Sequence, residues 1–372
     1  MRKICFLSGY FNRFDLNAKS QGGAEYQNYL LKSELEKKNY QVYFISLGDR
    51  NEIYRDGNTI IIYIRKKKLT RKLGDNFFLY LPHVNNIINR IRPSIIYQRM
   101  SHSWTYAASL YAHKNKIKFI WAAAGEEDVK PFKKDRLHNL LFNFLDHLLA
   151  RYGQKRADTI IVQAEYQRDL LLKNYNLVAD AVIKNYHPLP CEKIERKGQF
   201  QIIWVANFSR NKQPHIFVEL AKYFEEKKYP ITFLMIGRPY NEYKQKMIET
   251  DISALNNIQY LGPKDQEFVN RSIAESYLVV NTSILEGFSN VYIQAWLRGT
   301  VVYSLNSDPD KLLSEKGLGF CAYGNFQALV AAIENLFTDK EKWFLFSQKC
   351  RQYSTENHSI ENQISKLLPF FK

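Results

Sequence analysis

The sequence predicts an α/β protein with two domains, each built on a parallel sheet. Its 372 residues are enough for about two domains of ordinary size. Short β-branched and apolar runs alternate with helix-like patterns along the chain, which is typical of a parallel sheet covered by helices on both faces. An apolar content of 45% can build two cores and excludes a globally disordered chain.

Composition restricts the environment of the protein. No apolar run approaches the ~20 residues that span a bilayer, and the apolar part of residues 1–9 is too short for a signal peptide and predicts a first strand. The four cysteines show no paired metal-ligand spacing, so we expect a reducing cytoplasm and no structural zinc. They are Cys5, Cys191, Cys321 and Cys350.

The formal charge of +16 favours an anionic partner. A phosphorylated substrate, an anionic membrane surface and nucleic acid all satisfy it, and so does a solvated basic surface without a partner. The basic cluster at residues 65–72 precedes an aromatic stretch at 77–81, a combination that suits a membrane interface. A charged loop leading into a buried helix explains the same pattern.

The first half of the chain contains six strand-like runs separated by helical patterns. These runs are residues 3–8, 42–46, 60–64, 95–97, 118–121 and 159–162. Residues 133–152 carry a dense apolar stripe, so we expect a helix packed on the first sheet, with His138 and His147 on its polar side.

Two loops of this half contain candidate ligand residues. Gly22 and Gly23 open the first helix, where a glycine pair exposes amides and allows close approach of a ligand, although an ordinary turn fits as well. The strand at 118–121 runs into an acidic loop with three carboxylates, for which acceptor orientation and helix capping are the two interpretations. They are Glu126, Glu127 and Asp128.

A linker is predicted at residues 186–198, where two prolines precede a charged run. It separates a first domain, residues 1–185, from a second that opens with a strand at 201–205. Arg210 and Lys212 lie in the loop between that strand and the next helix, where fixed charge, amides and the helix dipole suit a diphosphate. The P-loop pattern is absent, and two solvated surface cations are the alternative.

Residues 281–296 organise the second domain. They read Asn-Thr-Ser-Ile-Leu-Glu-Gly-Phe-Ser-Asn-Val-Tyr-Ile-Gln-Ala-Trp and follow a β-branched strand. Glu286 therefore lies where a strand ends and a helix begins, the usual ligand position in an open α/β sheet. The amides of Gly287 and Phe288 can donate to an oxygen-rich ligand, and Ser289 or Asn290 caps the helix.

This segment resembles the signature of the group 1 retaining glycosyltransferases, Glu-Gly-Phe-x-Asn-Val-x-x-x-Ala-Trp. The family has two glutamates eight positions apart; Glu286 matches the first, and Gln294 stands at the second. The resemblance covers nearly the whole chain and implies the GT-B fold, two Rossmann-like domains facing a central cleft. It places the nucleotide-sugar-binding domain at residues 199–355 and a C-terminal helix at 356–372 that crosses back to the first domain.

The resemblance also implies the roles of individual residues. Lys212 would stabilise the departing diphosphate, and Glu286 would orient the sugar through its hydroxyls. The family's loop arginine is replaced by Asn207, so Arg210 is the cation that can supply the missing charge. Gln294 keeps one acceptor oxygen for the ribose. The other residues assigned to the donor are Gly22, Gly23, Gly237, Leu261, Gly262, Gly287, Phe288, Ser289 and Asn290.

We therefore expect a cytoplasmic, hexosyltransferase-type enzyme that needs neither a metal nor another cofactor. It would transfer a sugar from a nucleotide sugar, with retention, to a glycan acceptor on polyprenyl diphosphate or another lipid. This reaction belongs to bacterial surface polysaccharide synthesis, lipopolysaccharide or capsule, at the inner face of the plasma membrane.

Two other interpretations stay open. The first is a two-carboxylate hydrolase, which is disfavoured because its reaction gives the cationic loop no role. A non-catalytic basic protein on the same scaffold would bind nucleic acid or an anionic membrane, since a fold does not fix an activity. Lys212 and Glu286 favour the enzyme, and the absence of a recognisable nucleic-acid module makes nucleic acid the less expected partner.

Overall fold

The computed structural model describes residues 1–9, 11, 22–67, 77–132, 140–191, 196, 198–239 and 247–372. These residues form two compact units. The first contains the described chain up to Lys184 together with Ile364–Lys372, and the second contains Asn185–Gln363. Both units have parallel-sheet α/β architecture, so the predicted fold class is confirmed.

Unit 1 is built on an eight-stranded sheet. Its strands are Lys3–Leu7 (β1), Gln41–Gly48 (β2), Glu52–Asp56 (β3), Thr59–Arg65 (β4), Ile95–Arg99 (β5), Lys118–Ala122 (β6), Thr159–Val162 (β7) and Ala181–Val182 (β8). They lie in the order β3-β4-β2-β1-β5-β6-β7-β8, and only β3 and β4 pair antiparallel. The central strands are nearly continuous apolar runs, as expected of strands buried on both faces.

Five helices accompany this sheet in the described residues. They are Gly23–Lys37 (α1), Leu81–Ile91 (α2), Trp104–Asn115 (α3), Leu140–Gln154 (α4) and Glu165–Tyr175 (α5), with short 3-10 helices at Phe77–Tyr80 and Glu126–Asp128. Val84 and Ile88 of α2 and Trp104 of α3 are fully buried in the core of the unit. No described side chain of α4 belongs to that core; α4 packs on α3 instead.

Unit 2 is built on a six-stranded sheet in which every pair is parallel. Its strands are Phe200–Val205 (β9), Ile231–Ile236 (β10), Ile258–Tyr260 (β11), Leu278–Asn281 (β12), Val301–Ser304 (β13) and Gly319–Cys321 (β14). They lie in the order β11-β10-β9-β12-β13-β14. Successive side chains of β9 point to opposite faces of the sheet. Ile202 and Trp204 therefore belong to the core on one face, and Ile203 belongs to the core on the other.

Helices cover both faces of this second sheet. They are Pro214–Glu226 (α6), Gln266–Glu275 (α7), Asn290–Leu297 (α8), Phe326–Thr338 (α9) and Lys340–His358 (α10), with a π-helical turn at Ile248–Ile252 and a 3-10 turn at Pro309–Lys311. Helices α6 and α9 contribute to one core, and α7, α8 and α10 to the other. The pairing of Leu278 with Ile202 brings the carboxyl ends of β12 and β9 to the same sheet edge.

The end of the chain completes unit 1. Helix Ile360–Leu367 (α11) leads into a 3-10 helix at Leu368–Phe371. Ile364, Leu367 and Phe371 are buried, and the hydroxyl of Tyr40 donates a 3.0 Å hydrogen bond to the Phe371 carbonyl. The first unit is therefore assembled from two stretches of sequence that lie on either side of the second.

The prediction that the apolar stripe of residues 133–152 packs on the first sheet is wrong. Residues 133–139, with His138, lie outside the described residues, and α4 runs from Leu140 to Gln154. Its apolar stripe faces solvent and does not pack on the sheet. His147 is half-buried, with its ring 5.5 Å from that of Phe132 and 6.4 Å from that of Tyr175, and burial lowers its pKa to about 4.

The aromatic part of the predicted membrane patch also faces inward. Tyr80 is fully buried, and the ring of Phe77 stacks on His102 with 4.2 Å between centroids. These rings are part of the core of unit 1, which matches the alternative of a charged loop leading into buried structure. Residues 68–72 of the basic cluster lie outside the described residues. Over the part of the chain that is described, no helix has the length and apolar character needed to span a bilayer.

Candidate functional site

The carboxyl ends of β9 and β12 bring a cation and a carboxylate together. Lys212 lies in the loop after β9, and Glu286 lies in the loop after β12. Lys212 Nζ forms an ion pair with Glu286 Oε1. The two side chains are 28% and 13% exposed, so the pair is partly shielded from water yet open to a ligand.

Glu286 is held through a single oxygen. Its Oε1 accepts hydrogen bonds from Ser283 Oγ at 2.8 Å and from Asn281 Nδ2 at 3.4 Å, besides the lysine. Within the described chain no side chain or amide donates to Oε2 of Glu286. The carboxylate is therefore fixed in direction while one oxygen stays available to accept from a ligand hydroxyl.

Asn211 joins the two loops and was not singled out from the sequence. Its Nδ2 donates to the Leu285 carbonyl at 2.8 Å, and its Oδ1 accepts from the Leu285 amide at 3.1 Å. The Ile284 amide donates to the Asn211 carbonyl at 2.8 Å. These three hydrogen bonds hold the loop after β9 against the loop after β12. They therefore set the position of Lys212 relative to Glu286.

Thr282 fixes the backbone under Lys212. Its hydroxyl lies 2.6 Å from the Lys212 carbonyl and 3.0 Å from the Gln213 carbonyl, and it accepts from Trp204 Nε1 at 2.9 Å. Gln213 has a left-handed backbone (φ +44°) directly before α6. Trp204 is buried in the core, so the Lys212 carbonyl is linked through Thr282 to the core of the unit.

The remaining members of the β9 loop lie at the same edge. Asn207 Oδ1 accepts from the Arg238 amide at 3.3 Å, and the side chain of Arg210 is exposed. Gly237 ends β10 with φ +156°, where a Cβ would overlap the Ala206 carbonyl. Only glycine allows the two strand ends to approach so closely.

Leu261 and Gly262 follow β11 beside Gly237. The Leu261 amide donates to the Met235 carbonyl at 2.9 Å, and the Gly237 amide donates to the Gly262 carbonyl at 3.1 Å. Gly262 has φ +71°, a backbone conformation that favours glycine. The turns after β9, β10, β11 and β12 therefore meet at one edge of the sheet of unit 2.

The segment leading into α8 contains residues of the candidate site and residues of the core. Gly287 belongs to the loop before this turn, whereas the Phe288 ring is buried against His358 at 4.9 Å, and the Phe288 carbonyl accepts from Asn185 Nδ2 at 3.2 Å. Ser289 is the N-cap of α8, and Asn290 is its first residue.

Gln294 faces a neighbouring helix. It is 4% exposed, and its Nε2 donates to Asn270 Oδ1 of α7 at 2.9 Å. Its side chain is therefore anchored from the protein side, in contrast to the open oxygen of Glu286.

The predicted residues of unit 1 occupy two loops. Gly22 is the N-cap of α1 and Gly23 its first residue. Asp128 is buried and accepts from the amides of Ser101, Ala124 and Gly125 at 2.7, 2.7 and 3.1 Å, which is the capping arrangement. Glu126 pairs with Lys130, and Glu127 is exposed. Of the three carboxylates, Glu127 is the one open to solvent.

Comparison with known families decides the assignment. Residues 21–185 match Glycosyltransferase Family 4, and residues 199–339 match Glycosyl transferases group 1. The two ranges together span most of the chain and one falls in each half. The chain belongs to the group 1 glycosyltransferases. A comparison with curated proteins gave no match.

Solved structures similar to this glycosyltransferase extend over its full length. Sucrose-phosphate synthase from Thermosynechococcus elongatus is 14% identical with a TM-score of 0.77, covering 100% of this chain and 98% of its own. HepE from Anabaena in complex with UDP-glucose is 14% identical, with a TM-score of 0.72 and coverage of 100% and 99%. S. aureus TarM, in complex with UDP and other ligands, is 12% identical, with a TM-score of 0.75 and full coverage of both chains. At these identities the likeness concerns the fold of the glycosyltransferase.

The described residues of this glycosyltransferase contain no group of three or more His, Cys, Asp and Glu side chains arranged to hold a metal ion.

Proposed function

We propose that this glycosyltransferase moves a sugar from a nucleotide-sugar donor to a glycan acceptor, with retention of anomeric configuration and without a metal ion. One observation carries the proposal: Lys212 and Glu286 are paired where two adjacent parallel strands end. A cation and a carboxylate at that edge are the groups that a departing diphosphate and a sugar hydroxyl require.

Lys212 acts on the leaving group. Lys212 lies two residues before the first residue of α6, so its charge and the helix dipole act in the same direction on a diphosphate. When the donor binds, the ammonium exchanges its contact with Glu286 for a phosphate oxygen. Arg210, exposed in the same loop, adds a second positive charge in place of the arginine that Asn207 replaces.

Glu286 acts on the sugar. Ser283 and Asn281 keep Oε1 engaged after the lysine has turned to the diphosphate, and Oε2 accepts from a sugar hydroxyl. Because both polar partners are fixed by the loop after β12, the carboxylate needs little reorganisation on binding.

The rest of the donor lies along the same edge. Gly237, Leu261 and Gly262 line the nucleotide, and the Gly287 turn faces the phosphates. Gln294 offers its carbonyl oxygen to the ribose while Asn270 holds its amide nitrogen. The family resemblance assigns Gly22 and Gly23, at the start of α1, to the donor as well.

The acceptor we propose is a glycan carried on a lipid, such as polyprenyl diphosphate, at the inner face of the plasma membrane. Glu127 is the acidic residue available to orient it, since Asp128 and Glu126 are engaged. The formal charge of +16 supports a diphosphate-bearing, membrane-borne acceptor. Synthesis of a bacterial surface polysaccharide is the process that uses such acceptors.

The donor is tested by thermal shift and calorimetry with UDP-, GDP-, ADP- and CMP-sugars in the presence of EDTA. UDP-sugars come first, because the HepE and TarM structures were solved with UDP-glucose and UDP. We expect one donor to stabilise the wild type, Lys212→Ala to weaken its binding at least about tenfold, and Glu286→Ala to bind it but lose turnover. Lys222→Ala, a change at an exposed lysine on α6, is the matched control.

Product analysis tests the proposed retention of configuration. The anomeric coupling constant of the product, measured by NMR, shows whether the configuration is retained. The opposite result would be that no donor binds while oligonucleotides or anionic vesicles bind in a salt-dependent manner. That result would favour the non-catalytic basic protein over the enzyme.

A further inference from the structure

Helix α4 presents a continuous apolar face to solvent. Five large side chains on this face are exposed by 73, 44, 38, 48 and 38%: Leu141, Phe144, Leu145, Leu148 and Tyr152. Their spacing of three or four residues places them along one side of the helix, over roughly 16 Å at 1.5 Å per residue. A soluble helix normally has its apolar side inward and its polar side outward, so α4 is inverted.

The inverted orientation is fixed by the inward face. Arg151 donates to the Asp128 carbonyl at 2.7 Å and stacks on the Tyr175 ring at 3.7 Å. Gln154 Nε2 donates to Ser101 Oγ at 2.5 Å. A Cβ on Gly153 would overlap the backbone of Thr105, so α4 contacts α3 at this point through its backbone. Turning the stripe inward would break all of these contacts.

The half of the chain that contains α4 carries most of the net positive charge. Residues 1–185 contain 31 Lys and Arg against 17 Asp and Glu, whereas residues 186–372 contain 22 against 20. The excess charge therefore belongs almost entirely to the first half of the chain. Helices α3 and α4 contain a single carboxylate, Asp146, which is half-buried and accepts from the Ser103 amide at 3.0 Å.

Exposed cations stand at the ends of this helix pair. Lys155 and Arg156 follow α4, and Lys114 and Lys116 lie at the end of α3.

We propose that α4 is an interfacial helix that docks this protein on an anionic bilayer. The five-residue stripe enters the boundary between headgroups and acyl chains, and the flanking cations bind the headgroups. A second copy of the chain fits the stripe less well, because pairing two such surfaces would bring cations of the same sign together. A bilayer containing anionic lipid satisfies both the apolar stripe and the charge around it.

The inference deepens the proposed function and rests on its membrane-borne acceptor. The membrane contact is then made by a helix whose apolar side chains are exposed, and not by the aromatic stretch at 77–81, which packs against the core of unit 1. Membrane binding is measured without donor or acceptor, so it succeeds or fails independently of catalysis.

The test is flotation of the purified full-length protein with vesicles. Vesicles of phosphatidylethanolamine with about one third phosphatidylglycerol are compared with neutral phosphatidylcholine vesicles. The variant Leu141→Gln/Leu145→Gln/Leu148→Gln should lose at least about tenfold in partitioning to anionic vesicles. The matched control is Ile53→Gln/Leu172→Gln/Val178→Gln, three residues of the same unit that are 64, 49 and 71% exposed; it should bind like the wild type.

A second measurement covers the case in which the triple variant folds poorly. Leu145→Trp places a fluorophore on the stripe, and its emission should shift to the blue on addition of anionic vesicles. Lys155→Glu/Arg156→Glu should weaken binding at low salt and reduce its salt dependence.

Three outcomes would overturn the inference. They are unchanged flotation of the folded triple variant, no spectral shift of the tryptophan, and a dimer that the triple variant dissociates in sedimentation without vesicles. Binding of vesicles through α4 with no donor turnover would refute the proposed function and leave the inference intact.

Discussion

Lys212 and Glu286 are 74 residues apart in the chain and form an ion pair at the edge of one sheet. The parallel pairing of β9 with β12 determines this meeting, because both loops leave the sheet at neighbouring strand ends. Both members of the pair belong to one unit. Under the proposed function, donor binding exchanges one ionic partner of the lysine for another and does not create a new buried charge.

Separate roles for the two residues predict separate kinetic effects. Lys212→Ala should weaken donor binding by about 10- to 100-fold, because a charge-assisted contact to phosphate is lost. Glu286→Gln should reduce kcat by about 100-fold while the donor Kd changes less than about threefold. Isothermal calorimetry and initial rates provide the two readouts. A Glu286→Gln enzyme with full kcat would contradict the role assigned to the carboxylate.

Asn211 should behave as a positioning residue. Asn211→Ala removes two hydrogen bonds to Leu285 and should lower kcat by about tenfold with a smaller effect on donor affinity. Asn211→Asp should be no better, since a carboxylate cannot donate to the Leu285 carbonyl. Asn115→Ala, which removes an exposed contact to the Tyr111 carbonyl on α3, is the control and should leave kcat unchanged. Equal activity of Asn211→Ala and the wild type would exclude this role.

The sequence predicted most strands of both sheets, because these strands are short apolar runs between polar loops. It did not predict the short strands β3, β8 and β14. It also predicted that Lys212 and Glu286 belong to strand-end loops. It did not identify Asn211 and Thr282, because their partners lie about 70 residues away and no local pattern shows such a contact. The available signal for these two residues was that each is a polar residue in or beside a predicted ligand loop.

The orientation of α4 was predicted wrongly for a different reason. An apolar stripe shows where an amphipathic helix has its apolar face, and burial of that face is an inference from the behaviour of soluble helices. The inward face is determined by Arg151, Gly153 and Gln154, which bind groups far along the chain. Orientation of a helix therefore requires knowledge of its tertiary partners.

Gly237 should tolerate no side chain. Gly237→Ala places a methyl group on the Ala206 carbonyl, so the ends of β9 and β10 must separate. We expect a loss of about 3 kcal/mol in the free energy of unfolding, or failure to fold, from combined overlap and backbone strain. Gly125→Ala, where a Cβ meets nothing within 4 Å, should change stability by less than about 0.5 kcal/mol. Urea denaturation gives both values, and a neutral Gly237→Ala would refute the close approach.

Asp146 makes stability depend on pH. Burial raises the pKa of this carboxyl from 3.8 to about 6. Between these values the folded protein keeps a proton that the unfolded chain releases, so this contribution to stability falls as pH rises from about 4 to 6 and is constant above. Asp146→Asn keeps an oxygen for the Ser103 amide and should stabilise the protein by about 2 kcal/mol at pH 7.5.

The pH dependence of that gain is the decisive observation. Chemical denaturation at pH 4 should show almost no difference between Asp146→Asn and the wild type. An equal gain at both pH values would mean that the asparagine acts through packing and not through the proton.

The contribution of residues 364–372 to unit 1 has a consequence for synthesis of the protein. A ribosome makes these residues only after the whole of Asn185–Gln363. A nascent chain halted before residue 364 would contain all of the second unit, while the first unit would lack Phe371 opposite Tyr40. Limited proteolysis of such halted chains should find the second unit protected and the first still open to cleavage. The half that is translated first is then the last to be completed.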